Sequence, residues 1–149
     1  MTLPSEGFGV FRNGARPMRA TSWPFPDYEA ARDGGMARTP FVLSLAGEWR
    51  FLREPGAGPG PEGFEQPGFD DAGWPALPVP SCPELHGHGR PQYLNVRYPH
   101  PATPPTIASE HNATLLYRAV VHVPGSWVGR RTVLVLDGVE SCHEAWLDG

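Results

Sequence analysis

The sequence predicts an all-β fold, a two-layer sandwich of short strands, and three observations carry that prediction. Glycine and proline supply 18 and 19 of the 149 residues. So many breakers cut the chain into short pieces, which suits strands joined by turns and disfavours helix bundles and coiled coils. The 5 Trp, 4 Tyr and 7 Phe argue against disorder, because disordered chains lack the large apolar side chains that offset chain entropy. The clearest periodicity has a repeat of two, not of 3.6. At this length the chain makes about one domain and can hide roughly 70% of its unfolded surface.

Taken in order, residues 1–40 form an extended arm with one short helix. Trp23-Pro24-Phe25-Pro26 is aromatic and proline-rich and is expected to lie extended against another surface. Residues 27–33 (DYEAARD) read as one or two helical turns, with Asp27 as N-cap and Gly34-Gly35 as the stop. Residues 41–45 and 47–52 give the first strand signals. Residues 54–68 read as a flexible connection whose glycines and prolines interleave, with no Lys-Ser/Thr to make a phosphate cradle. The turn from Phe69 to Trp74 is expected to plug a core with its two aromatics. Residues 75–83 read as an edge segment, since proline cannot donate to a ladder.

Residues 99–105 hold four prolines in seven positions and are expected to form an extended loop. In residues 114–123 (TLLYRAVVHV), Leu115, Tyr117, Ala119, Val121 and Val123 share one face. Leu116, Arg118, Val120 and His122 share the other, which predicts a strand covered on one side and partly covered on the other. Residues 132–136 (TVLVL) read as an inner strand and residues 143–147 as another. Asp148-Gly149 after that alternation is a type I′ hairpin signal, so a returning strand is expected to follow. On pattern alone the domain reads as β and incomplete at its C-terminus.

Composition also excludes functions. The chain carries 12 basic and 16 acidic residues, a formal net charge of −4, and the arginines are scattered. Without a basic cluster, nucleic acid is not an expected partner. No apolar run approaches the ~20 residues a bilayer requires, and residues 1–13 lack a signal-peptide core, so a cytoplasmic protein with no membrane partner is expected. Cys82 and Cys142 match no metal spacing and are expected to be buried free thiols.

The residues offer no complete catalytic set. His86-Gly87-His88 could supply two metal ligands, but structural or solvated histidines fit that spacing better. Asp70-Asp71 and Glu140/Glu144 could form acid/base pairs, although adjacent acids before a Gly-Trp turn more often cap it. Ser81-Cys82 and Ser141-Cys142 lack a glycine-flanked nucleophile elbow. Asn112-Ala113-Thr114 is a formal glycosylation sequon, not presented to the machinery without export. Sugar sites combine a flat apolar face with amides or carboxylates for the hydroxyls. Asn95 suits that role, because its amide both donates and accepts as vicinal hydroxyls do. An amide that satisfies its own turn is the alternative reading.

Several elements then agree, in order, with one family. Asn95-Val96-Arg97-Tyr98-Pro99 resembles an Asn-Val-x-Tyr-Pro element, with Pro104-Pro105 and Glu110-His111-Asn112 after it. Tyr117-Arg118, Pro124-Gly125-Ser126-Trp127 with Gly129-Arg130-Arg131, Asp137-Gly138-Val139-Glu140-Ser141 and Trp146-Leu147-Asp148-Gly149 follow. Upstream stand Leu45-Ala46-Gly47-Glu48-Trp49-Arg50-Phe51, then Phe69-Asp70-Asp71-Ala72-Gly73-Trp74 and Val79-Pro80-Ser81. Together these resemble the N-terminal domain of family 2 glycoside hydrolases of the β-galactosidase type, over about three quarters of the chain. Asp148 stands in place of a more usual Asn, and no proline follows Asn112.

The resemblance implies a jelly-roll, galactose-binding-like β-sandwich over residues 41–149, incomplete at its C-terminus. It implies a parent that hydrolyses terminal β-galactosides with retention, using two carboxylates outside this chain. Asn95 is the implied substrate contact, with Val96 and Tyr98 along the same edge, and no residue of this chain is expected to be catalytic. No cofactor is expected on the chain; Mg and Na ions are implied for the parent. The expected partners are a β-galactoside, in the parent's context, and the remainder of the hydrolase or a larger subunit. A free-standing carbohydrate-binding module, an association subunit of a split enzyme, and a β-glucuronide substrate are the alternatives.

Overall fold

The structure is a computed structural model that describes residues 14–17, 19–91, 95, 107–108, 112–140 and 142–149. The chain divides into two compact units, Ala46–Val120 with Ala145–Gly149, and Met1–Leu45 with Val121–Glu144.

The first unit holds an antiparallel sheet of β1 (Gly47–Glu54), β2 (Ala76–Val79) and β3 (Thr114–Arg118), in the order β2-β1-β3. The all-β reading agrees with this sheet. β1 is central, pairing Trp49 with Leu77 on one side and Phe51 with Tyr117 on the other. Its aromatic and apolar residues suit a half-buried pleat. The proline-punctuated β2 is an edge strand as expected, with Pro78 facing Glu48 and a cis bond from Val79 to Pro80.

Phe51 and Leu77 are fully buried, and Phe64, Trp74 and Leu116 form a buried cluster against which Leu52 and Phe69 pack. Phe69 and Trp74 meet edge to face at 5.7 Å, so the expected aromatic plug is present. The turn between them is closed by Asp70, whose carboxylate accepts from the Ala72 amide at 3.0 Å, and by the Trp74 amide on the Asp71 carbonyl at 2.9 Å.

The expectation for residues 54–68 fails. This segment packs into the core: Phe64 is buried, and turn bonds run from its amide to Pro61 and from the Gln66 amide to Gly63. Thr114 clasps the segment's start, with its hydroxyl on the Gly56 carbonyl at 3.2 Å and accepting from the Gly58 amide at 3.1 Å. Gly60 has φ +78°, and a Cβ there would sit 2.7 Å from Leu116 Cδ1. Glycine is thus needed for close approach as well as for conformation.

In the second unit α1 (Tyr28–Asp33) begins where expected, with the Asp27 carboxylate accepting from the Ala30 amide at 2.8 Å. It ends at Gly34, where a Cβ would come within 2.7 Å of the Phe25 ring. The Trp-Pro-Phe-Pro stretch therefore folds against its own helix end, and Thr39 donates its hydroxyl to the Pro24 carbonyl. Trp127 donates its indole N–H to the Pro40 carbonyl at 2.9 Å, and the Arg130 guanidinium lies 5.0 Å from the Phe41 ring centre.

Four strand expectations are corrected. Residues 41–45 lie outside the described strands, β3 stops at Arg118 instead of Val123, and residues 132–136 and 143–147 form no strand. A strand exists only where a neighbour completes its ladder, and high β-propensity does not supply one. Extending β3 would bury little, because Val120 is 86% exposed. Asp148 and Gly149 take φ values of 60° and 98°, the positive pair that a type I′ turn needs. Both cysteines are free but exposed, not buried: Cys82 precedes the short 3-10 turn Pro83–His86, and Cys142 lies in an exposed stretch. Residues 99–105 lie outside the described residues.

Candidate functional site

Asn95 sits exposed at a turn, where its amide is open to solvent. Val96 and Tyr98 lie outside the described residues. Six positions before Asn95, the chain leaves a well-packed support. The Pro83–His86 turn ends at Gly87, φ +87°, whose amide closes it on the Glu84 carbonyl at 3.3 Å. The next residue, His88, returns its amide to the Pro83 carbonyl at 3.0 Å. The His88 ring then stands edge-on to Phe51 at 4.7 Å, and Tyr117 flanks the same ring at 5.0 Å.

His88 is thus a packing residue that holds the Pro83–His86 turn against Phe51 of the sheet. Among the described residues, no three His, Cys, Asp or Glu side chains come together as a metal requires. Burial pushes the Tyr117 phenol above its ordinary value near 10, and the negative charges of Glu84 and Cys82 add to the rise. That phenol stays neutral at physiological pH.

The acidic candidates have structural duties. Asp70 caps its turn, and Asp71 receives Arg118 Nε at 2.9 Å while Arg50 Nε stands at 4.0 Å. Arg118 also donates to the Phe64 carbonyl and, at 3.3 Å, to the Gln66 carbonyl, and it lies 5.3 Å from the Phe69 ring centre. Sequence reasoning placed Arg118 on a half-polar face without seeing that it fastens residues 64–71 to β3. The available signal was a lone cation within an apolar alternation. Glu140 and Glu144 are exposed, the Ser81 hydroxyl bonds the Pro78 carbonyl, and Ser141 lies outside the described residues. Among the described residues no helix is long and apolar enough to cross a membrane.

Taken together, the described geometry makes a scaffold: a sheet, a plugged core and a packed turn at residues 83–88. The family model described as "Glycosyl hydrolases family 2, sugar binding domain" matches residues 42–149. The chain is 35% identical over 125 residues to a protein of Vibrio vulnificus (strain YJ016) named beta-galactosidase, covering 84% of this chain and 12% of the relative. It is 38% identical to a beta-galactosidase of Arthrobacter sp. (strain B7), covering 72% of this chain and 12% of that one. A third, from Halalkalibacterium halodurans, is 33% identical over 110 residues. The chain spans about 12% of the length of the relatives it matches.

Proposed function

The chain belongs to the family 2 glycosyl hydrolases, whose sugar-binding domain it carries, and on that premise we propose that it serves a β-galactosidase as scaffold and substrate-contacting loop. In this reading the domain completes a jelly-roll, galactose-binding-like sandwich, and the parent hydrolyses terminal β-D-galactosides with retention. The two carboxylates for that chemistry lie outside these 149 residues. The observation that carries the reading is the Asn95-Val96-Arg97-Tyr98-Pro99 element within the matched region, with Asn95 exposed at a turn.

Asn95 uses its amide to donate to one sugar hydroxyl and accept from its neighbour, a pairing that fixes the galactosyl ring without entering the bond-breaking step. Val96 and Tyr98 line the apolar edge of the same subsite. The acids among the described residues are engaged in turns and ion pairs or dispersed on the surface, and the isolated chain is proposed to be inactive. Mg and Na ions are proposed for the parent alone. The described residues of this chain gather no donor set for them. The names of the relatives favour galactoside over β-glucuronide as substrate.

Two assays test this. The purified 149-residue chain should release no nitrophenol from a β-galactoside, and steady turnover would overturn the division of labour. In the complete parent, Asn95→Ala should raise KM for the galactoside by on the order of tenfold, the loss of one or two hydrogen bonds to substrate. An unchanged KM with an intact fold removes Asn95 from the site.

A further inference from the structure

Three aspartates of this chain are followed directly by glycine: Asp33-Gly34, Asp137-Gly138 and Asp148-Gly149. With no side chain on the second residue, its amide lies open to the carboxyl before it, and the two can close a five-membered imide ring. How firmly the carboxylate and the glycine are held decides among the pairs. Asp33 is held at both points. Its carboxylate accepts from Arg32 Nε at 2.7 Å and Nη2 at 2.9 Å, a two-point pair that keeps it below the ordinary carboxylate range. A Cβ on Gly34 would meet the Ala30 carbonyl oxygen at 2.5 Å and the Phe25 ring at 2.7 Å. Gly149 lies against Gln66, where a Cβ would stand 3.1 Å from Oε1, and Glu65 accepts from that side-chain amide at 3.3 Å. Asp137 and Gly138 instead form a bend with no hydrogen bond or ion pair among the described residues, and a Cβ on Gly138 would meet nothing within 4 Å.

We propose that Asp137 is a self-modification site, at which the folded chain converts aspartate to isoaspartate ahead of its other Asp-Gly pairs. The Gly138 amide nitrogen attacks Asp137 Cγ. A C–N bond forms as the carboxyl C–OH bond breaks, and the hydroxyl leaves with the amide proton as water. Water then adds to the imide at either carbonyl. Breaking the bond from Cγ to nitrogen restores aspartate, whereas breaking the bond from the main-chain carbonyl carbon routes the backbone through Cγ as isoaspartate. Nothing is oxidised or reduced, and the water lost is returned. Ring closure needs a protonated carboxyl and a glycine free to swing, so the Arg32 pair and the packing of Gly34 protect Asp33. Turns run over the surface of a folded chain, so the site does not depend on what covers residues 132–136. The product adds a methylene to the backbone inside the Asp137-Gly138-Val139-Glu140-Ser141 element of the matched domain.

Ageing the 149-residue chain at neutral pH in heavy-oxygen water tests this, with digestion by a protease that cleaves before aspartate but not before isoaspartate. Cleavage before Asp137 should be lost several-fold faster than cleavage before Asp33 or Asp148, a margin that an exposed ion pair can supply. Heavy oxygen should enter the same peptide, and mapping separates it from Asn13-Gly14, whose deamidation changes the mass without ageing solvent. Gly138→Ala, which the open space accepts, should slow the loss several-fold because a Cβ hinders the attack. Arg32→Ala should speed the loss at Asp33. In urea, where the fold no longer holds any pair, the three sites should draw level. An Asp137 that keeps its cleavage throughout overturns the proposal. So does equal loss at the three sites in the folded chain, or a ranking that urea leaves unchanged.

Discussion

Arg50 and Arg118 face each other directly across the β1–β3 ladder, a placement that repels when nothing intervenes. Asp71 intervenes, with one carboxylate oxygen 2.9 Å from Arg118 Nε and the other 4.0 Å from Arg50 Nε. Arg118 is mostly buried, so its pairing is screened far less than an ordinary surface bridge. Replacing Asp71 with Asn leaves two facing guanidinium groups and should cost about 1.5–3 kcal/mol, the range for hydrogen bonds to charged groups. Urea titration of the chain measures this, and a midpoint unchanged from the original would show that the carboxylate is idle. Arg118→Lys should not substitute, because a single ammonium cannot reach Asp71, Phe64 and Gln66 together. Tyr117 gives a pH signature at the same scale. Its raised pKa means the unfolded chain loses this proton first, so its contribution is full below the ordinary value and declines as pH rises through the folded one. Stability should fall above about pH 10, and Tyr117→Phe should remove that part of the fall; an identical alkaline profile in the variant rejects the assignment.

Elements form here where a local signal and a partner coincide. The Asp27 cap, the proline-bearing edge at β2 and the aromatic turn at Phe69–Trp74 were legible because each rests on chemistry within a few residues. Residues 132–136 carry an equally strong signal, yet no strand forms, because pairing is a property of two segments and sequence displays one at a time. Phe64 was missed for the opposite reason: it lies among glycines and prolines with no period, and its burial depends on β3, which lies 50 residues downstream at Thr114. The site divides in the same way. The proposed role of Asn95 rests chiefly on the order of motifs around it, whereas Arg118 and His88 gain their roles from partners distant in sequence. The packed 54–68 segment makes its own prediction. Gly60→Ala must accept a positive φ and a Cβ 2.7 Å from Leu116, so it should destabilise the chain by about 1–3 kcal/mol through strain and overpacking. A free connection would tolerate alanine and gain slightly from a stiffer unfolded state, so a neutral or stabilising result in thermal melts refutes the packed description.

For the whole molecule, apolar surface is distributed unevenly. Five large apolar side chains are buried among the described residues, all within the Ala46–Val120 stretch, whereas eleven between Val120 and Leu147 are exposed. Solvent-facing valines and leucines in such numbers are unusual for a monomer and mark a surface that something covers. In the isolated chain that surface should bind anilinonaphthalene sulfonate without denaturant. The dye signal should fall when Leu134→Lys or Val135→Glu places a charge within it, while urea unfolding monitored at Trp74 stays put, because neither side chain supports the Phe51–Leu77 core. Dye fluorescence at the buffer level would mean that these residues are already covered in solution. A signal that rises only with unfolding would place them in a core that the isolated chain completes by itself. The expected pattern, native binding quenched by one introduced charge, instead gives the chain two separable halves of behaviour: a sheet that holds its shape and an apolar stretch that seeks a partner.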